Sequence, residues 1–90
     1  MRALYCAVSG KVQGVWYRDW TMKKAKALGI KGYVRNMRDG GVEVMAQGPD
    51  EILEQFKEAL REGSPISRVD DVRCEWKNIS VTFRTFDIKY

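Results

Sequence analysis

The sequence predicts an α+β sandwich, with one antiparallel sheet and two helices on one of its faces. Two observations carry that prediction. Runs with apolar residues at strand spacing and runs with apolar residues at helical spacing occur in the order strand, helix, strand, strand, helix, strand, with a short strand added at the end. Between the second and third strands lies Asp39-Gly40, a hairpin dipeptide.

Each element has its own reason. Leu4, Cys6 and Val8 alternate with Tyr5, Ala7 and Ser9, the period of a first strand. A loop over 10–17 follows. From Arg18 to Leu28 the pattern turns helical, with Tyr17, Thr21, Ala25 and Leu28 on one stripe and Gly29 placed to cap the C-terminus. The lysines Lys23, Lys24 and Lys26 read as its solvated face. A second strand runs from Lys31 to Met37, and after the turn Val42, Val44 and Ala46 alternate with Glu43, Met45 and Gln47 in a third. Gly48-Pro49-Asp50 opens a second helix whose apolar positions are Ile52, Leu53, Phe56, Ala59 and Leu60, and Gly63 ends it. Val72, Cys74 and Trp76 alternate with Arg73, Glu75 and Lys77 in a fourth strand, and residues 83–90 form the last.

With short links and right-handed crossovers, this order favours the ferredoxin-like split βαβ sandwich, βαββαβ plus a short C-terminal strand, as one domain over residues 1–90. The first and fourth strands are neighbours in that arrangement. Cys6 and Cys74 share the inward parity and could approach each other; thiols are expected, with a disulfide left open.

Composition narrows the chemistry. A chain of 90 residues buries roughly 60–65% of its unfolded surface, enough for a two-layer core without metal or disulfide staples. No run of 18 apolar residues occurs, and the N-terminal apolar stretch is short and broken, so it reads as a strand and the expected location is the cytoplasm. The two cysteines form no metal or redox motif. The net charge of +4 suits an anionic ligand. The chain has no histidine, which removes the usual general base near neutral pH, every His-dependent triad and most catalytic zinc sites. Neither a cofactor nor a metal is expected.

Two segments carry chemistry. The first is Gly10-Lys11-Val12-Gln13-Gly14-Val15-Trp16-Tyr17-Arg18, between a strand and a helix. It lacks the P-loop and dinucleotide patterns. It nevertheless sets backbone N–H groups at a helix N-terminus, in the positive end of the helix dipole, with the planar fork of Arg18 beside them. An ordinary strand-to-helix link with a surface arginine is the plainer alternative, and the residues alone leave both open. The second is Asn36, near a strand end. Asparagine there commonly satisfies turn backbone. Its amide can also hold a water, because it both donates and accepts. The ends of the first two strands can meet across an intervening strand, so Arg18 and Asn36 could flank one pocket.

The segment Val8-Ser9-Gly10-Lys11-Val12-Gln13-Gly14-Val15-Trp16-Tyr17-Arg18 resembles the first signature of the acylphosphatase family. Gly32-Tyr33-Val34-Arg35-Asn36, with Gly40, Val42 and Gly48 behind it, resembles the second. Ala25, Leu28, Gly29 and the closing Phe86, Ile88 and Tyr90 also fit, so the resemblance covers essentially the whole chain. One departure is Tyr17, where the family more often has phenylalanine. The resemblance implies a small cofactor-free hydrolase that splits acyl phosphates into a carboxylate and inorganic phosphate. It implies Arg18 as the phosphate-binding arginine and Asn36 as the residue positioning the attacking water. The amides of Gln13, Gly14, Val15, Trp16, Tyr17 and Arg18 would form the phosphate cradle.

That chemistry suits a chain without histidine. A carboxylate leaving group, whose conjugate acid has a pKa of about 4, departs without needing a proton. Catalysis is then mainly positioning and electrostatic stabilisation. Two other readings stand beside it. A ferredoxin-like nucleic-acid-binding module would need a motif that Lys31-Gly32-Tyr33 begins and that Val34, Arg35 and Asn36 break. A domain serving carbamoyl transfer would be fused to a longer chain. The partners expected are therefore an acyl phosphate and inorganic phosphate, with no nucleic acid and no membrane, and the protein is expected to be a monomer.

Overall fold

A computed structural model describes residues 2–90. The elements are β1 (Arg2–Lys11), α1 (Tyr17–Ala27), β2 (Lys31–Asn36), β3 (Val42–Gln47), α2 (Asp50–Glu62), β4 (Arg68–Asn78) and β5 (Phe86–Lys89). The strands form one sheet in the order β4-β1-β3-β2-β5. Its first four strands pair antiparallel, as the split βαβ arrangement requires. The fifth departs from the all-antiparallel expectation: β5 adds to the free edge of β2 in parallel, with Ile88 opposite Val34.

The core follows the strand parity read from sequence. Leu4, Cys6, Val8, Val34, Val42, Val44 and Ala46 are buried on one face of the sheet. They pack with Tyr17 and Ala25 of α1, Leu53, Phe56 and Leu60 of α2, and Phe86 of β5. Helix α1 starts at Tyr17, one residue earlier than expected, and its stripe of Tyr17, Thr21 and Ala25 is the buried one. It ends as Ile30 N–H donates to Ala25 O at 2.9 Å, closing the turn around Gly29.

Two features position the site. The first is a row across the sheet: Val42 pairs with Val8 on one side and Asn36 on the other. Two strand spacings, about 10 Å, therefore separate Asn36 from the end of β1 that feeds the 10–17 loop. The second is a register shift in the β1–β4 ladder between Ser9 and Gly10. Gly10 has φ 126°, and a Cβ there would sit 2.1 Å from Arg68 O, so only glycine allows β4 to approach this bend.

Three local expectations are corrected. Cys6 and Cys74 are directly opposite each other and joined as a disulfide rather than held as thiols. Facing cysteines on paired antiparallel strands already lie within bonding reach, here with Cα atoms 4.1 Å apart. The last strand is shorter than expected, because the stretch before Phe86 crosses the outer face of the sheet. Buried Gln47 pins that crossing: its Nε2 donates to Val81 O at 2.8 Å and its Oε1 accepts from Phe83 N–H at 2.9 Å. The second strand stops at Asn36, and Met37 enters the turn by donating to Gly41 O at 2.8 Å.

The outer face also buries a carboxylate. Glu43 accepts from Tyr5 Oη at 2.6 Å and pairs with Arg35. Burial, then the Glu43 carboxylate, pushes the Tyr5 phenol up to about 12.

Candidate active site

The loop after β1 is shaped by two left-handed residues. Gly14 takes φ 72°, and Trp16 takes φ 64° and ψ 19°, the latter as the N-cap of α1 without a side-chain cap. Val15 lies between them and is buried in the core, which anchors the loop from beneath. Successive main-chain groups in such alternating conformations turn their N–H groups toward one concavity. The first helical bond of α1 is Trp20 N–H to Trp16 O at 3.0 Å, so the amides of Tyr17, Arg18 and Asp19 precede the ladder.

Tyr17 holds the helix start in place. It is fully buried, and its Oη donates to Leu60 O at 2.9 Å. Leu60 lies in the last turn of α2, so the hydroxyl satisfies a carbonyl at a helix end. Burial raises the Tyr17 phenol above its usual range.

Gln13 bridges the loop to the strand that carries Asn36. Its Nε2 donates to Met37 O at 2.7 Å and Gly41 O at 2.8 Å. The loop bearing Arg18 and the hairpin following Asn36 are thereby fastened together by one side chain.

These supports enclose a cavity of about 340 Å³. Gly14, Trp16, Tyr17, Arg18 and Asn36, all singled out from sequence, line it. Gln13 and Val15 do not, since one side chain reaches to the hairpin and the other into the core. Sequence reasoning missed Val12, Asp19, Ile88 and Tyr90 as parts of the wall. Asp19 is held by Lys23 at 3.0 Å, one helical turn on. Tyr90 lies against Arg18, with the guanidinium carbon 4.8 Å from its ring centroid.

The cavity's chemistry is that of an anion site with a polar handle. A guanidinium and the amides of a helix N-terminus favour phosphate oxygens. Asn36 Oδ1 is buried and has no hydrogen-bond partner among the described residues. A buried acceptor left unpaired costs about 1–3 kcal/mol, so this amide oxygen is a polar group that the protein's own contacts leave unsatisfied. Among the described residues, no group of three or more His, Cys, Asp or Glu could hold a metal ion.

Known proteins share both sequence and shape with this chain. The acylphosphatase family model matches residues 4–88. An acylphosphatase of Rhodospirillum rubrum is 52% identical over 73 residues, 81% of this chain and 80% of that protein. One of Dehalococcoides mccartyi is 42% identical and is covered, like this chain, over 100% of its length. The crystal structure of the Bacillus subtilis acylphosphatase superposes with a TM-score of 0.94 over 100% of both chains, at 36% identity. A family match over residues 4–88 and an end-to-end structural match together place this chain in the acylphosphatase family.

Proposed function

We propose that Arg18 and the main-chain amides from Gln13 to Arg18 bind the phosphoryl group of an acyl phosphate, while Asn36 aims the attacking water at phosphorus. The observation that carries this reading is the meeting of Arg18, from the start of α1, and Asn36, from the end of β2, in one cavity. The family's hydrolysis of acyl phosphates supplies the reaction. Water attacks phosphorus, the bond between phosphorus and the acyl oxygen breaks, and the products are a carboxylate and inorganic phosphate. The water's proton passes to a phosphate oxygen, so no side chain has to act as a base. The Asn36 carbonyl accepts a hydrogen bond from the water and orients its lone pair. Arg18 and the amides meet the charge that spreads over the equatorial oxygens.

The reading takes residues 1–90 as one domain, working as a monomer in the cytoplasm on a small anion. A nucleic-acid partner is not part of it. The outer sheet face supports that omission, because Lys77 lies over the Tyr5 ring at 4.9 Å and Lys89 over the Tyr33 ring at 4.3 Å, which occupies the faces that bases would stack on.

The test is a metal-free assay with benzoyl phosphate, competed by inorganic phosphate. Arg18→Ala is expected to lose phosphate inhibition and at least about 100-fold in turnover, the scale of one preorganised donor. Asn36→Ala is expected to lose kcat while keeping its phosphate inhibition constant. Near-normal hydrolysis by Arg18→Ala would overturn the assignment, and equal loss of rate and phosphate affinity in Asn36→Ala would overturn the division of labour.

A further inference from the structure

A carboxylate stands on the wall of the anion site. Asp19 lines the cavity together with Arg18 and Asn36, and among the described residues it is the one acidic side chain that does so. It lies in the first turn of α1, where the helix leaves its leading amides unsatisfied. An acidic residue there suits the positive end of a helix. Here it also competes with phosphate for that same positive end and repels the anion.

Lys23 offsets part of that charge. Its Nζ lies 3.0 Å from the Asp19 carboxylate, one turn along α1, and it stands outside the cavity wall. The Asp19 side chain is still 40% exposed. Exposed pairs of this spacing add little to stability, so the larger consequence of the pair is the field it sets at the cavity. The Arg18 guanidinium lies on the Tyr90 ring while Asp19 turns to Lys23, so these two chain neighbours do not cancel each other by contact.

We propose, on the phosphate-binding reading above, that Asp19 weakens the site's grip on phosphate so that the product leaves, and that Lys23 limits the weakening. Arg18 and the helix amides attract substrate and product alike, because both present phosphate oxygens. A wall of attraction alone would retain the inorganic phosphate that each turnover releases. A fixed negative charge lowers the affinity for both. The net charge of the phosphoryl group and its attacking water does not change on the way to the transition state. The Asp19 field therefore acts on every bound state in nearly the same measure, and it enters binding rather than the chemical step.

The experiment measures kcat, KM for benzoyl phosphate and the inhibition constant for inorganic phosphate in the wild type, Asp19→Asn, Lys23→Met and the double variant. Asparagine keeps the shape of Asp19 without its charge, and methionine keeps most of the lysine stem. Asp19→Asn should lower KM and the inhibition constant together by about fivefold, the size of a partly screened charge acting on a dianion, with kcat no higher than in the wild type. Lys23→Met should raise both constants by about twofold, since its more exposed charge is screened further. The double variant should show the product of the two factors, because fields superpose. Shifts of the same sign in the two single variants overturn the inference, since the ion pair would then matter as a structural tie. An unchanged inhibition constant in Asp19→Asn, beside a wild type that phosphate inhibits, overturns it and leaves the phosphate reading intact. A higher kcat at unchanged KM also overturns it, because the carboxylate would then act on the transition state alone. A wild type that neither hydrolyses benzoyl phosphate nor responds to inorganic phosphate overturns the underlying reading, and the role of Asp19 with it.

Discussion

Removing the Gln13 side chain tests how the two halves of the site are held together. In the native chain its Nε2 makes bonds of 2.7 and 2.8 Å to Met37 O and Gly41 O. At roughly 1 kcal/mol net for each, Gln13→Ala should cost about 2 kcal/mol. The figure is not higher, because neither carbonyl is orphaned: Gly41 O still accepts from Met37 N–H at 2.8 Å, and Met37 O from Gly40 N–H at 3.3 Å. In a domain of this length such a loss lowers Tm by about 8–16 °C. The bridge also fixes the loop of Arg18 against the strand end of Asn36. Misplacement by about 1 Å can cost 100-fold, so kcat should fall by roughly 10- to 100-fold in folded protein. The assay pairs urea unfolding, followed by tryptophan fluorescence, with benzoyl phosphate turnover below the transition. Gln13→Glu sharpens it: an ionised carboxylate has the same shape but cannot donate, so this variant should be at least as damaged. Stability within about 0.5 kcal/mol of the wild type and unchanged kcat in Gln13→Ala would refute the bridging role.

Tyr17→Phe should cost about 1–3 kcal/mol in urea unfolding, because it leaves the buried Leu60 O without its donor, with kcat nearly unchanged. An equally stable variant would show that the hydroxyl is merely accommodated. The tyrosines set an alkaline limit. Tyr5 titrates at about 12 in the fold, and burial shifts Tyr17 and Tyr33 in the same direction. The native state thus holds its phenol protons more tightly than the unfolded chain, whose tyrosines titrate near 10. That stabilisation is whole below pH 10 and is lost as pH climbs toward 12, so absorbance at 295 nm and unfolding should rise together there. Cys74→Ser should be less stable than the oxidised wild type by up to about 4 kcal/mol, the entropy of closing a loop over a separation of 68 residues. Reduced wild type should match the variant in the same urea titration, and a reduced protein as stable as the oxidised one would contradict this.

Most of the fold was legible because it is local. Asp39-Gly40 marks a hairpin, Gly29 and Gly63 end helices, and parity along β1 and β3 places Val8 and Val42 in the core. The candidate site was legible in part for the same reason, since Arg18 follows the glycine-containing loop after β1 and Asn36 closes β2 just before the Asp39-Gly40 turn. What escaped depends on contacts between distant segments. Tyr90 and Ile88 join the cavity because β5 pairs in parallel with β2, and residues 79–85, which lead there, have no periodicity to announce the route. Gln47 alternates like a solvent-facing residue, yet it is buried by that same crossing. The parity of Cys6 and Cys74 was readable, but oxidation state is set by surroundings and not by pattern.

The missing histidine is the constraint that joins sequence to mechanism. A guanidinium, main-chain amides and a carboxamide contain nothing that titrates near neutrality. On the reading proposed above, a site built from them keeps its charge while the solution pH moves and acts by placement. Placement has to be enforced by the fold, and the enforcement is visible: Val15 roots the loop in the core, Tyr17 ties its helix to α2, and Gln13 ties it to the hairpin. The strained turn at Trp16 is tolerated because these ties surround it. A chain that moves no protons of its own must spend its buried contacts on geometry. Val15, Tyr17 and Gln13 therefore set the geometry on which the role proposed for Arg18 rests.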